Sequence, residues 1–101
     1  MKAQIWNYSG WVTETRPDIL NGIYKQQLLK AGFNILSIKY HLFEPQGFTA
    51  LYLLCESHFA VHTFPEENKT YIELSSCNKA KYDAFLAMEK AANREAKTNG
   101  K

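Results

Sequence analysis

Residues 48–76, FTALYLLCESHFAVHTFPEENKTYIELSS, decide the fold because apolar stretches of strand length alternate with turn residues. Valine, isoleucine, threonine and aromatic residues are enriched in these stretches, as they are in β-strands generally. Strands joined by short turns pair in the antiparallel sense. We therefore predict an antiparallel sheet with strands at 48–55, 59–64 and 69–76 and a turn over 65–68.

A further strand lies immediately upstream, since the hydrophobic period changes to two from Asn34 onward. The turn that follows it is residues 44–47, where proline and glycine suit a tight reversal. A strand with a kink at Gly10 is also predicted over residues 3–12. The alternation places Leu36, Ile38, Tyr40 and Leu42 on one face and Ser37, Lys39, His41 and Phe43 on the other.

Amphipathic helices are predicted before and after this run of strands. Pro17 suits the first turn of one helix and Gly32 its C-terminal cap, whereas Asn78 caps the other. Both helices must cover the same side of the sheet, which predicts an α+β fold, a two-layer sandwich with two helices on one face. The predicted buried stripes are Leu20, Ile23, Tyr24, Gln27, Leu28 and Ala31, and then Tyr82, Phe85, Leu86 and Ala92.

The composition is that of one folded domain spanning residues 1–101, with 46% hydrophobic and 22% charged residues. A formal net charge of +2 is too small to indicate a nucleic-acid partner. No apolar run approaches the roughly 20 residues that cross a bilayer, so no membrane partner is expected. The N-terminus has no apolar signal core. We therefore expect a cytoplasmic protein in which Cys55 and Cys77 remain thiols.

Residues 55–66, CESHFAVHTFPE, hold the chemistry-bearing side chains. His58 and His62 share a strand face and form a possible metal pair, but no third ligand stands out nearby, so no metal is predicted. Ser57 lacks the glycine-flanked strand–turn–helix elbow of serine hydrolases. From composition alone, the segment is a strand that carries two histidines.

These residues resemble the bacterial-type S-adenosylmethionine decarboxylase proenzymes. That family carries Glu-Ser-His, then His-Thr-aromatic-Pro-Glu, then a cysteine, at the spacing of residues 56–58, 62–66 and Cys77 here. Residues 41–49, HLFEPQGFT, are similar to the family's His-x-Phe-x-Pro-x-Gly-x-Ser run. The resemblance extends without a gap from about residue 34 to residue 78.

The resemblance implies that the chain cleaves itself between Glu56 and Ser57. In the family the serine hydroxyl attacks the preceding carbonyl, and the resulting ester breaks by β-elimination. The products would be a β chain of residues 1–56 and an α chain of residues 57–101 that begins with a pyruvoyl group. The ketone of that group forms a Schiff base with the substrate amine. The implied activity is decarboxylation of S-adenosylmethionine, which supplies aminopropyl groups for spermidine synthesis.

The resemblance also implies a role for each matching residue. His62 would transfer protons during processing, supported by the Thr49 hydroxyl, and Cys77 would be the general acid that reprotonates the substrate carbon. Phe43 would stack on adenine and Glu66 would hold the ribose hydroxyls. The family works as a dimer with two sites built from both subunits, which implies a homodimer here.

The chain departs from the family pattern mainly around the substrate. Thr49 stands where serine is usual, and Asn78 follows Cys77 in place of glycine. Residues 67–70 replace a stretch with glycine and an aromatic residue, and residues 4–6 replace a Gly-x-His element. Two alternatives therefore stay open: a pyruvoyl-dependent decarboxylase for another amino acid such as ornithine or arginine, or an unprocessed homologue that acts as a binding or regulatory subunit.

Overall fold

The computed structural model describes residues 3–96. In this range the chain forms β1 (Trp6–Val12), α1 (Pro17–Ala31), β2 (Ile35–Leu42), β3 (Phe48–Leu54), β4 (Ser57–Phe64), a 3-10 turn (Pro65–Glu67), β5 (Lys69–Ser76) and α2 (Lys79–Ala92). The described strands make one five-stranded antiparallel sheet in the order β1-β5-β4-β3-β2. Helices α1 and α2 pack on the same side of it, around a shared hydrophobic core. The predicted α+β sandwich is confirmed.

The helix ends agree with the local sequence. Pro17 is in the first turn of α1, and Gly32 ends this helix with a φ of 102°, where a residue without a side chain is favoured. The N–H of Gly32 donates to the carbonyl of Leu29 at 3.0 Å. Asn78 caps α2, because its side-chain oxygen accepts from the N–H of Lys81 at 3.1 Å.

The strand bounds differ from the prediction at the tip of the β3–β4 hairpin and at the start of β1. β3 ends at Leu54 and β4 begins at Ser57, two residues earlier than predicted, because Cys55 and Glu56 alone reverse the chain. β1 begins at Trp6 rather than at residue 3. The segment after β4 forms a 3-10 turn where an unspecified turn was predicted.

The predicted alternation of β2 is interrupted at Leu36. The register of β2 against β3 shifts between Ile35 and Ser37, so one extra residue occupies this strand. A bulge of this kind breaks the period of two. Leu36 is 61% exposed, whereas Ile38 packs against the core.

The core between the two layers is aromatic. The rings of Tyr24 and Phe85, one from each helix, lie 5.1 Å and 5.4 Å from the ring of Phe59 in β4. The predicted stripe of α2 needs one correction, because Ala92 is exposed and Glu89 is buried in its place.

Glu89, in α2, is stabilised by partners from α1 and from the segment after α2. Its carboxylate accepts from the Tyr24 hydroxyl at 2.8 Å, from Gln27 Nε2 at 3.0 Å and from Arg94 Nη2 at 2.9 Å. Burial, and then the nearby Glu89 charge, raise the pKa of Tyr24. A buried carboxylate is tolerated here because hydrogen bonds replace its hydration.

The sheet side away from α1 and α2, which we call the open face, carries Lys39, His41, Leu51, Leu53 and His62. Leu51 is 53% exposed and Leu53 is 54% exposed, although both lie in the middle of the sheet. Adjacent large apolar side chains exposed in this way are typical of an interaction surface. Among the described residues, no helix has the length and apolar character required to cross a bilayer.

Candidate active site

The peptide bond between Glu56 and Ser57 lies at the tip of the β3–β4 hairpin. Cys55 and Glu56 form the turn, and Ser57 is the first residue of β4. Glu56 adopts the left-handed backbone conformation, with a φ of 63°, which costs a residue with a side chain about 1–2 kcal/mol. The cleavage point expected from the sequence therefore follows a strained residue at one end of the sheet.

Both groups that would react at this bond are hydrogen-bonded to the end of β5. Ser57 pairs with Ser76 in the β4–β5 ladder, so Cys77 lies beside Glu56. Ser57 Oγ donates to Ser76 Oγ at 2.9 Å, and Cys77 Sγ donates to the carbonyl oxygen of Glu56 at 2.9 Å. The thiol thus contacts the oxygen on which negative charge develops if a nucleophile attacks this carbonyl.

The two side chains differ in their access to solvent. Ser57 is 9% exposed, whereas Cys77 is exposed. A hydroxyl that is nearly buried has few water partners, so its orientation is set by the protein group it contacts. The Cys77 thiol, in contrast, lies where a molecule from solution can approach it.

Thr49 and His62 form a second group. They face each other across the β3–β4 ladder, and Thr49 Oγ1 lies 3.0 Å from His62 Nδ1. The His62 ring also stacks on that of Tyr71, with 6.2 Å between centroids. Because Nδ1 is held by the threonine, the ring is fixed and Nε2 points away from Thr49.

Phe43 and Glu66 lie at the same end of the sheet as Thr49 and His62. Phe43 follows β2 and is 48% exposed, and its ring meets that of His41 edge-on at 4.5 Å between centroids. Glu66 is exposed in the 3-10 turn after β4. Both side chains are therefore accessible to a ligand at this end.

The residues proposed from the sequence thus fall into two groups at opposite ends of one sheet. Ser57 and His62 are five residues apart on β4, a separation of about 17 Å, and the odd spacing puts their side chains on opposite faces. Glu56 and Cys77 belong to the Ser57 end, and the other predicted residues belong to the His62 end. A single chain brings the nucleophile, carbonyl and thiol together but leaves the histidine apart.

The sequence reasoning missed Ser76, whose hydroxyl is the partner of Ser57. Its position next to Cys77, at the end of a strand expected to pair with the strand after Ser57, was the available signal. That signal depends on the exact register, which periodicity does not provide.

Comparison with known proteins identifies the family of this chain and supports its fold. A family model described as S-adenosylmethionine decarboxylase matches residues 12–98. A solved structure, the adenosylmethionine decarboxylase from Aquifex aeolicus, superposes with a TM-score of 0.77 over 96% of this chain and 86% of that one, at 17% identity. At that identity the superposition supports the fold alone.

Curated relatives carry the same family name. A proenzyme from Clostridium kluyveri is 29% identical over 75 residues, which is 74% of this chain and 59% of that protein. One from Prochlorococcus marinus is 44% identical over 48 residues, 48% of this chain and 38% of that protein. Both are named S-adenosylmethionine decarboxylase proenzyme. The chain belongs to the S-adenosylmethionine decarboxylase family, and its matches span 38% to 59% of the length of these two relatives.

Proposed function

We propose that this chain is a proenzyme that cleaves itself between Glu56 and Ser57 and then decarboxylates S-adenosylmethionine. One observation carries the proposal: the Ser57 hydroxyl and the Glu56 carbonyl, the two groups that must react, are each hydrogen-bonded by the end of β5. The relatives' names support it, because they include both the word proenzyme and the decarboxylase activity.

Self-cleavage begins when Ser57 Oγ bonds to the carbonyl carbon of Glu56 and the peptide C–N bond breaks. The hydroxyl proton passes to the departing nitrogen, so the products of this step are an ester and a free amino group on residue 57. Loss of the Ser57 α-proton then breaks the Cβ–Oγ bond, and Glu56 leaves as a carboxylate. Water then adds at the α-carbon of residue 57, its amino nitrogen leaves as ammonia, and a pyruvoyl group remains at residue 57. The chains produced are residues 1–56 and residues 57–101.

The residues at the cleavage point fit such a group. Ser57 is nearly buried and Cys77 beside it is exposed, so a group made from Ser57 is held by the protein while substrate approaches the thiol. A pyruvoyl group supplies a ketone that binds an amine and accepts electrons as carbon dioxide leaves. Cys77 would return a proton to the substrate carbon afterwards. We also propose that the enzyme works in the reducing cytoplasm, where exposed Cys55 and Cys77 stay thiols.

We further propose a homodimer in which each site combines Ser57 and Cys77 of one subunit with His62 of the partner subunit. The two groups lie at opposite ends of the sheet, and a two-fold axis that packs open faces together with the sheets reversed brings the Ser57 end of one sheet against the His62 end of the other. Because the Ser57 side chain points away from the open face, the partner's His62 would reach the Glu56–Ser57 peptide around the end of the sheet. Exposed Leu51 and Leu53 supply apolar surface for this contact.

In this dimer, the nucleoside of the substrate would bind at the His62 end of the sheet. The exposed Phe43 ring offers a flat surface for adenine, and the exposed Glu66 carboxylate accepts from the ribose hydroxyls. Each substrate would then contact both subunits, with its amine near residue 57 of one and its nucleoside against Phe43 of the partner subunit.

Co-expression of differently tagged Ser57→Ala and His62→Ala chains tests this composite site. Alone, Ser57→Ala is expected to stay whole and His62→Ala to cleave at least tenfold more slowly than wild type. A mixed dimer has one site with both residues intact, so the His62→Ala chain should be cut in the mixture. A mixed dimer in which that chain remains as slow as on its own would contradict the composite site.

Carbon dioxide release from the cleaved protein identifies the substrate. We expect release from S-adenosylmethionine and none from ornithine or arginine. Release from an amino acid alone would instead support a retuned decarboxylase. A folded chain that never cleaves would support a binding or regulatory homologue.

A further inference from the structure

We infer that Ser76 is a positioning residue for the first step of self-cleavage, an inference that rests on the proposed function. Ser76 is the last residue of β5, is 0% exposed, and is paired with Ser57 in the ladder. Its hydroxyl lies 2.9 Å from that of Ser57. A fully buried hydroxyl beside the nucleophile has no route to solvent, so its bonds are all to protein.

The contacts of Ser76 fix the direction of its hydrogen bond to Ser57. A serine hydroxyl has one proton to donate and two lone pairs that accept. Ser76 Oγ donates to the carbonyl oxygen of Asn78 at 3.3 Å and accepts from the N–H of Asn78 at 3.0 Å. The capacity that remains is one lone pair, so Ser57 must be the donor in the bond between the two hydroxyls.

This direction sets the orientation of the nucleophile. With its proton held by Ser76, Ser57 Oγ is kept in one rotamer and its lone pairs point away from that proton. The Glu56 carbonyl is held at the same time by Cys77, the residue next to Ser76. Two consecutive residues of one backbone thus fix both reactants relative to each other.

The step that Ser76 assists is the transfer of the Glu56 acyl group from nitrogen to oxygen. The bond from Ser57 Oγ to the Glu56 carbonyl carbon forms, the peptide C–N bond breaks, and the hydroxyl proton ends on the nitrogen. Ser76 neither gains nor loses an atom in this step. Its contribution is orientation, which for a reaction between two fixed groups changes the rate directly.

The rate of chain cleavage in full-length Ser76→Ala, Ser76→Thr and Ser75→Ala tests the inference. We expect Ser76→Ala to cleave about fivefold more slowly, the loss that corresponds to one hydrogen bond of about 1 kcal/mol, and Ser76→Thr, which keeps the hydroxyl, to stay within about twofold of wild type. Ser75 is the matched control, since its hydroxyl bonds Asn7 on the opposite face, and Ser75→Ala should cleave like wild type. Melting temperatures of the variants report whether folding is affected.

Hydroxylamine separates the first step from the later ones, because it cuts an ester and leaves a hydroxamate on residue 56. We expect Ser76→Ala to be slow in hydroxylamine also, as less ester forms. Hydroxamate formation at the wild-type rate would overturn the inference, as would Ser76→Ala cleaving normally or Ser76→Thr being as slow as Ser76→Ala. A wild-type chain that does not cleave would instead refute the proposed function.

Discussion

Replacing Thr49 by valine removes one hydrogen bond and leaves the shape of the side chain almost unchanged. The bond lost joins Thr49 Oγ1 to His62 Nδ1 at 3.0 Å in a partly buried position. A hydrogen bond of this type contributes about 1 kcal/mol, and the histidine ring loses its fixed orientation without it. If His62 transfers protons during processing, the rate of self-cleavage should fall by about fivefold, the factor that corresponds to that energy.

The assay is the fraction of chain cleaved against time, measured by intact-mass spectrometry on freshly prepared protein. Thr49→Ser is the matched control, because it keeps the hydroxyl and loses only a methyl group; it should cleave within about twofold of wild type. Wild-type cleavage by Thr49→Val would refute the argument that this hydroxyl orients His62. Equal slowing in both variants would also contradict it, because Thr49→Ser keeps the hydroxyl that the argument makes responsible for orienting His62.

Three further predictions concern stability and assembly. Glu89→Gln should lower the free energy of unfolding by about 2 kcal/mol in urea denaturation, since it leaves buried donors poorly paired; an unchanged midpoint would refute this role. Burial raises the pKa of Tyr52 to about 12, above its ordinary value near 10 in the unfolded chain. Its contribution to stability should therefore be complete below pH 10 and be lost as the pH rises toward 12, a loss that Tyr52→Phe should reduce in denaturation at each pH. Leu51→Asp, on the open face, should halve the mass in sedimentation, whereas Leu29→Asp on the outer side of α1 should not; a dimer in both variants would contradict packing through this face.

The sequence predicts the architecture well where patterns are local. Alternation and turn residues place β2 to β5, and Pro17, Gly32 and Asn78 mark helix ends that the structure confirms. The bulge at Leu36 was missed because a period of two carries no sign of an inserted residue. The position of β1 beside β5 depends on long-range pairing, which no short pattern encodes.

Helical periodicity predicted buried apolar residues but not a buried charge. Ala92 was placed in the stripe of α2 because its spacing fits, whereas Glu89 is buried because Tyr24, Gln27 and Arg94 supply its hydrogen bonds. Along the sequence, Tyr24 lies 65 residues and Gln27 lies 62 residues from Glu89. Burial of a carboxylate is decided by such tertiary partners rather than by spacing.

The candidate site divides in the same way. The pairings of Ser57 with Ser76 and of Thr49 with His62 follow from strand register, once that register is known. The separation of the Ser57 and His62 ends follows from five residues of extended strand and was available in the sequence. The family resemblance indicates which residues take part in the site, but not which subunit supplies each of them.

Intact-mass spectrometry of the wild-type chain beside Ser57→Ala tests the central claim most directly. The account predicts that the wild type separates into fragments of residues 1–56 and 57–101, and that phenylhydrazine adds to the carbonyl of the second fragment. Ser57→Ala should give one species of the full 101 residues. A wild-type chain that stays whole after prolonged incubation, or fragments without a carbonyl that reacts, would contradict it.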